Sequence, residues 1–328
     1  MFMMDNRRIY DIPKQEKFEI YILIKNVQVL KDRNDREYMA FTFQDKSGTI
    51  VGMYWSALPE EVKKFTSGTI VRLRGIRDIY NGQPQVKIIQ MRVAEEEGLS
   101  PNDFIIEGPI SKEEMQKEIA DTIKEIVHPK IRAIVQTIMS QYRESFYSYP
   151  AAKSHHHAFI GGLGFHTLSM LRLAKAIANQ YPVIDKSLLY GGVILHDAAK
   201  VIEFKDPLSG EYSLEGNLIG HISLMGQKIS LVAKQLGYQQ KDEAVVLLKH
   251  MILAHHGEYE YGSPVRPQLL EAEVLHRIDD LDAKLNMIEN HLKEVEPGHF
   301  SSKIVGLESR TFYKPGDEYL QDLSLIHI

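Results

Sequence analysis

The chain has 328 residues, 44% of them hydrophobic and 25% charged, with a formal net charge of −5 and no cysteine. That length allows two domains, and the apolar fraction can fill a sizeable core in at least one. Without cysteine, disulfides and thiolate ligation are excluded, so any metal must be held by His, Asp and Glu. The charge is uneven: residues 1–95 hold 16 Lys/Arg against 12 Asp/Glu, a balance of +4, and the remainder balances at −9. A basic front part suits a polyanion. The opening MFMMDNRRIYDIPKQ is too charged for a signal peptide. No stretch approaches the roughly 20 apolar residues of a membrane helix. A soluble, cytoplasmic protein with no membrane partner is expected.

The first part reads as strands. Phe18–Leu30 is β-branched and apolar, and Met39, Phe41 and Phe43 alternate with Tyr38, Ala40 and Thr42 at the period of two of a half-buried strand. DKSG at 45–48 reads as a turn, Thr49–Trp55 as a strand, 58–65 as a short helix and Thr69–Ile76 as another strand. Asn81-Gly82 is a hairpin signal, and Gln85–Val93 closes the set. Five strands with a short helix between the third and fourth is the order of an OB-fold barrel. Residues 13–95 resemble that family in pattern, and DKSGTIVGMYW resembles its strand-two to strand-three hairpin.

A polar linker, EEEGLSPNDF (95–104), follows, and beyond it everything reads as helix. Ser111 with Glu114 three residues later forms a capping-box pattern. Helical segments are expected at 111–127, 129–147, 166–180, 186–200, 220–236, 241–255 and 268–293, with a loosely packed tail from about 308. The expected division is an extension (1–12), the barrel (13–95), a linker and helical connection (96–150), an all-α domain (151–312) and the tail (313–328).

All 14 histidines lie beyond residue 127. Nine of them sit in HHHAFIGGLGFHT (155–167), LHDAAK (195–200), GHISL (220–224), AHHG (254–257) and LHRIDDLDAK (275–284). A single such His is usually a surface or satisfied core group. Here His166, His196, Asp197 and a late Asp fall on different expected helices, where apolar stretches meet small residues. Neutral imidazole and carboxylate suit a catalytic metal with an open position for water. Burying His196 and Asp197 at the end of the apolar run 191–195 would cost several kcal/mol without partners, a penalty that a divalent cation removes.

The H…HD…D pattern in an all-helical domain resembles the HD phosphohydrolase superfamily. GGLGFHT, GHISL, ILAHHG and IDDLDAK are similar to the branch that joins an N-terminal OB-fold to an HD domain, the YhaM-type 3′→5′ exoribonucleases; the resemblance runs from about 13 to 312. It implies that His166, His196, Asp197 and Asp279 hold a first metal, Asp279 rather than Asp280 or Asp282. Asp197 would bridge to a second held with His221 and His255, or with His256, whose alternative role is to orient a ligand. Lys200 matches the Lys of an HDxxK pattern that touches substrate phosphate, and is otherwise a solvated helix-end Lys. One of His155, His156 and His157 would line the site as a proton donor or phosphate contact, with His156 the candidate. The expected cofactor is a divalent metal, Mn²⁺ by resemblance, as one or two ions, with Fe, Co and Mg compatible with the same ligands.

The implied chemistry is metal-assisted hydrolysis of single-stranded RNA, and also of single-stranded DNA, releasing 5′-mononucleotides. After His256 comes GEYEYGSP rather than the GYP of the cyclic-di-GMP phosphodiesterase branch, which argues against a cyclic dinucleotide. In the barrel, Arg72 and Arg74 share one strand face and Lys87 and Arg92 lie on the next strand. Tyr38, Tyr54 and Tyr80 are candidate stacking platforms. Trp55, Phe41 and Phe43 are expected in the barrel core. Helices within 111–147 offer an extra amphipathic surface that suits a homo-oligomer. The competing functions are an HD hydrolase of nucleotides or signalling nucleotides, and a nucleic-acid-binding protein with an inert HD domain.

Overall fold

The computed structural model describes residues 7–317 and 319, apart from 33–34, 36, 56–58, 81–82, 95–97, 105–108, 152–158, 208–210 and 294, and the side chains of Pro59, Gln83 and Asn102. The chain divides into two compact units, one of Met1–Glu107 with Asn290–Ile328 and one of Gly108–Glu289.

The first unit is built on β1 (Lys17–Lys31), β2 (Glu37–Asp45), β3 (Gly48–Trp55), α1 (Pro59–Lys64), β4 (Ile70–Tyr80) and β5 (Gln83–Val93). The strands close into a barrel in the order β1-β2-β3-β5-β4, with β4 returning to β1. This is an OB-fold barrel, the architecture its strand order implies. All pairings are antiparallel except β3 with β5. The expected DKSG turn is a two-residue hairpin link, and the Asp45 carboxylate holds it by accepting from the backbone N–H of Ser47 (2.8 Å) and of Ile9 (2.6 Å). Asn81 and Gly82 lie outside the described residues. Period-two alternation turns Phe18, Ile20, Ile22, Met39, Phe41, Phe43 and Leu73 inward, where they pack as one cluster.

Trp55 departs from its expected place in that core. It is 60% exposed and stacks on its cross-strand partner Tyr38 at 4.6 Å, while Tyr54 turns to the core and meets Phe65 edge-on. Adjacent residues of a strand must face opposite sides. The inward line Ile50–Gly52–Tyr54 therefore leaves Trp55 outside, although it is the larger apolar group.

The second unit is all-helical: α2 (Lys112–Glu125), α3 (Pro129–Gln141), α4 (Arg143–Phe146), α5 (Gly162–Gln180), α6 (Lys186–Leu195), α7 (Lys200–Glu203), α8 (Leu214–Leu218), α9 (His221–Gln235) and α10 (Glu243–Ala254), with most of α11 (Leu270–Lys293). Ser111 caps α2 by accepting from the Glu114 N–H. Two expected helices break. The 129–147 segment is interrupted at Tyr142, and the 186–200 segment ends at Leu195, turns through 196–199 and resumes as α7.

α6 is the central helix, with every residue from Ser187 to Leu195 buried. Asp185 starts it by accepting from the backbone N–H of Ser187 and Leu188. Gly191 and Gly192 explain its close packing: a Cβ at Gly191 would lie 2.8 Å from Ile131 of α3, and one at Gly192 would lie 2.7 Å from Met251 of α10. Among the described residues no helix is long and apolar enough to cross a membrane.

Gly191→Ala should overpack the α3–α6 contact and lower stability by about 1–3 kcal/mol. A urea midpoint that stays at the wild-type value would show that α3 can yield at no cost.

Candidate metal centre and nucleic-acid face

The end of α6 delivers two successive side chains to one buried point. His196 and Asp197 are 0% and 3% exposed. The His196 Nδ1 lies 2.8 Å from the Val193 carbonyl. A carbonyl only accepts, so Nδ1 carries the proton and Nε2 presents its lone pair. The same device recurs on His255, whose Nδ1 donates to Ile252 O (2.7 Å), and on His256, whose Nδ1 donates to Tyr261 O (2.6 Å). For two others the acceptor is a carboxylate. His221 Nδ1 donates to Glu203 (2.9 Å), and His166 Nδ1 donates to Asp282 (2.7 Å). Five rings from four segments are thus held with Nε2 pointing away from their anchors.

The free ring edges converge. His166 and His196 place their Nε2 atoms 3.4 Å apart. Asp279 Oδ1 is 3.2 Å from His166 Nε2, and Asp197 Oδ2 is 3.4 Å from His196 Nε2 and 3.9 Å from that of His166. The other oxygen of Asp197 faces a second group: Oδ1 lies 3.3 Å from His221 Nε2 and 3.8 Å from His255 Nε2. Donors each about 2.1 Å from one cation would stand about 3.0–3.4 Å from one another, the range of the shortest of these distances. The structure therefore brings together His166, His196, Asp197, Asp279, His221, His255 and His256, and it sets the Asp197 carboxylate between two sets of imidazoles.

The donor set fits a divalent transition metal by its own polar accounting. Asp197 Oδ1, His221 Nε2 and His255 Nε2 are buried and have no hydrogen-bond partner. Buried polar atoms are rarely left so, and three aimed at one spot suit a shared cation. Protonation agrees. Burial, aided by the neighbouring His256 and His196, pushes His255 well below the usual imidazole range, and burial lowers His256 as well. Burial alone would raise Asp197 and Asp279. Lys200 and His196 around the first, and His166 and His196 around the second, outweigh it and hold both well below the usual carboxylate range. His166 moves the other way: burial opposes its charged form, but Asp279 and Asp282 raise it to about 9. The two carboxylates beside His166 thus mark a spot where positive charge is favoured.

Lys200 is nearly buried. Its Nζ donates to Asp197 Oδ2 and to the Ala151 carbonyl, both at 2.6 Å. His156 lies outside the described residues. Glu203 and Ser169 carry no mark in the sequence, and Asp282 enters there only as the ligand set aside for Asp279. Asp282 accepts from His166 and from the Ser169 hydroxyl, and Glu203 accepts from both the backbone N–H and the Nδ1 of His221. For Asp282 a signal existed: it is three residues from Asp279, hence on the same helix face. Asp280 points elsewhere and pairs with Lys284. Glu203 carried no local signal. Gly257 has φ +79, and a Cβ there would overlap the His276 ring. His276 in turn donates from Nδ1 to the His255 carbonyl, so the backbone carrying His255 and His256 is pinned from α11.

In the barrel, Arg72 forms an ion pair with Glu19 (2.9 Å) and Lys87 pairs with Asp78. Arg74 lies on the same face of β4, opposite Glu19 in the register. Tyr54 donates its hydroxyl to Glu61 (2.7 Å), which pushes its pKa up to about 12. Tyr80 is exposed.

Residues 163–284 match the family model of the HD domain, and residues 20–94 match that of an OB-fold nucleic acid binding domain. A protein of Listeria welshimeri named 3'-5' exoribonuclease YhaM is 43% identical over 310 residues, covering 94% of this chain and 98% of that protein. A Geobacillus protein of the same name is 43% identical over 301 residues, covering 92% of each. The chain belongs to the YhaM 3'-5' exoribonuclease family. Membership covers both units, as the two family models match one in each. Among solved structures, the second OB-fold domain of replication protein A from Methanococcus maripaludis is 12% identical and covers 28% of this chain and 96% of its own, with a TM-score of 0.23.

Asp282→Ala should free the His166 ring and lower divalent-metal affinity about 10–100-fold. Chelator competition reads this directly. Wild-type affinity in the folded variant would mean that His166 is either no ligand or needs no anchor.

Proposed function

We propose that the protein is a metal-dependent 3′→5′ exoribonuclease that hydrolyses single-stranded RNA, and single-stranded DNA with it, to 5′-mononucleotides. The observation that carries the reading is the Asp197 carboxylate set between two groups of imidazoles in a chain of this family. In this reading His166, His196, Asp197 and Asp279 hold one Mn²⁺, and Asp197, His221 and His255 hold a second, with His256 beside them. When bound, the ions lower the pKa of water and offset charge on phosphoryl oxygens.

The chain's own groups do the rest. Asp282 and Glu203 fix the rings of His166 and His221. Lys200 holds one Asp197 oxygen and adds the positive charge that a phosphate needs close by. His155, His156 and His157 supply the remaining candidates for proton donation. Residues 151–312 act as the hydrolytic domain and 13–95 as the strand holder. Arg72, Arg74 and Lys87 contact backbone phosphates, whereas Tyr54 faces the barrel core and bonds Glu61. Tyr38 and Trp55 add a ready stacked pair: an exposed indole already lying on a tyrosine ring suits the face of a base. Such an RNA-degrading enzyme belongs in the cytoplasm.

Incubation with Mn²⁺ and a 5′-labelled single-stranded RNA, resolved on a denaturing gel, tests the activity. A ladder that shortens by one nucleotide at a time, absent with EDTA and absent in Asp197→Ala, is expected. A single internal cut, or an intact band with the metal-loaded wild type, would refute the exonuclease assignment. Trp55→Ala should weaken binding of a long RNA about tenfold in filter binding, the scale of one lost base stack. Unchanged affinity would remove the Tyr38–Trp55 pair from the RNA path.

A further inference from the structure

The barrel wall formed by β1, β4 and β5 carries a concavity of about 570 Å³ that takes no part in the metal site or in the Tyr38–Trp55 pair. Tyr21, Lys64, Phe65, Arg72, Met91 and Arg92 line it. The register explains its chemistry. Tyr21 on β1 is directly opposite Arg72 on β4, and Arg72 is directly opposite Arg92 on β5. One row across three strands therefore sets two guanidiniums side by side, an arrangement of like charges that is unfavourable by itself. Lys64, at the end of α1, adds a third cation. The lining holds one carboxylate, Glu61, which already accepts the Tyr54 hydroxyl. Beyond the lining, Glu19 pairs with Arg72. Phe65 and Met91 are buried and make an apolar floor.

Paired guanidiniums beside an aromatic ring and an apolar floor match a ligand that joins a phosphate to a flat ring. The volume is within the range of small-molecule sites. We propose that this pocket binds one nucleotide, its phosphate between Arg72 and Arg92 and its base against Tyr21 over Phe65 and Met91. The nucleotide has two sources. It is a unit of a single strand laid over the β1–β4–β5 wall, a case that rests on the exonuclease reading, or it is a free nucleoside 5′-monophosphate, a case that does not.

The test uses the full chain in EDTA, so that RNA stays intact and catalysis plays no part. Calorimetric titration with 5′-AMP, adenosine, inorganic phosphate and a ten-nucleotide RNA is compared between wild type, Arg92→Gln and Tyr21→Leu. Lys64→Gln on the exposed end of α1 serves as a further variant in case either of those fails to fold. Both parts of the ligand are needed, so AMP should bind more tightly than adenosine or phosphate. Each variant should weaken it about tenfold. Loss of RNA affinity by the same factor, with AMP displacing RNA, identifies the strand as the source. Loss of AMP binding alone identifies the free nucleotide. If neither AMP nor RNA affinity changes in variants that melt like wild type, or if wild type binds neither ligand, the pocket is not a nucleotide site. A metal-loaded wild type that leaves RNA intact would sink the nuclease reading separately, without bearing on these titrations.

Discussion

The arrangement of the helical unit turns on one buried carboxylate. Asp197 is almost fully enclosed, yet its surroundings hold it ionised and direct its two oxygens to different imidazole groups. An enclosed charge is tolerable only when positive charge and oriented dipoles surround it. Lys200 supplies part of that on one side, and unpartnered imidazole nitrogens face the other. The requirement reaches back along α6. A helix that brings Asp197 to the centre of the unit must itself pass through the centre, so its residues are apolar or small, and glycines stand where α3 and α10 press closest.

Histidine orientation is the second layer of the same constraint. A lone imidazole can rotate and exchange its proton between nitrogens, which makes it an indifferent ligand. Each ring of the cluster instead has Nδ1 tied to a carbonyl or carboxylate. That fixes tautomer and direction before any ion arrives, so little ordering remains at the moment of binding. Carboxylate anchors and carbonyl anchors differ in effect. Asp279 and the anchor Asp282 make His166 more basic and favour a cation there, whereas His255, anchored on a carbonyl and enclosed by other rings, stays neutral. The centre thus has an electron-rich side near Asp279 and a neutral side near His255.

The barrel meets a different problem, the handling of charge on a curved sheet. Its outward faces are not uniform. One carries a stacked aromatic pair on β2 and β3, and another carries a row of Arg and Tyr on β1, β4 and β5. Two guanidiniums held opposite each other repel, and the single Glu19 carboxylate beside Arg72 balances one of the two charges. That makes the second face as suggestive as the first, although its tyrosine and arginines are less conspicuous in the chain than a lone tryptophan.

Sequence alone determined the element types and the roster of metal-site candidates. Strand alternation and the capping pattern at Ser111 are local properties read from spacing, and the His and Asp roster follows from the linear order of the motifs and the family they resemble. It could not decide which side of a strand faces in. Tyr54 and Trp55 have opposite parity, and only closure of the barrel sends the tyrosine to the core and the indole to the surface. Nor could it show that 186–200 breaks at Leu195, since the turn serves the direction of His196 and Asp197 and no helix-breaking residue marks it. Glu203 and Asp282 gained their roles as ring anchors only when the fold set them against rings 18 and 116 residues away. Hydrogen-bond partners so far apart in the chain are selected by packing, and packing exists only in three dimensions.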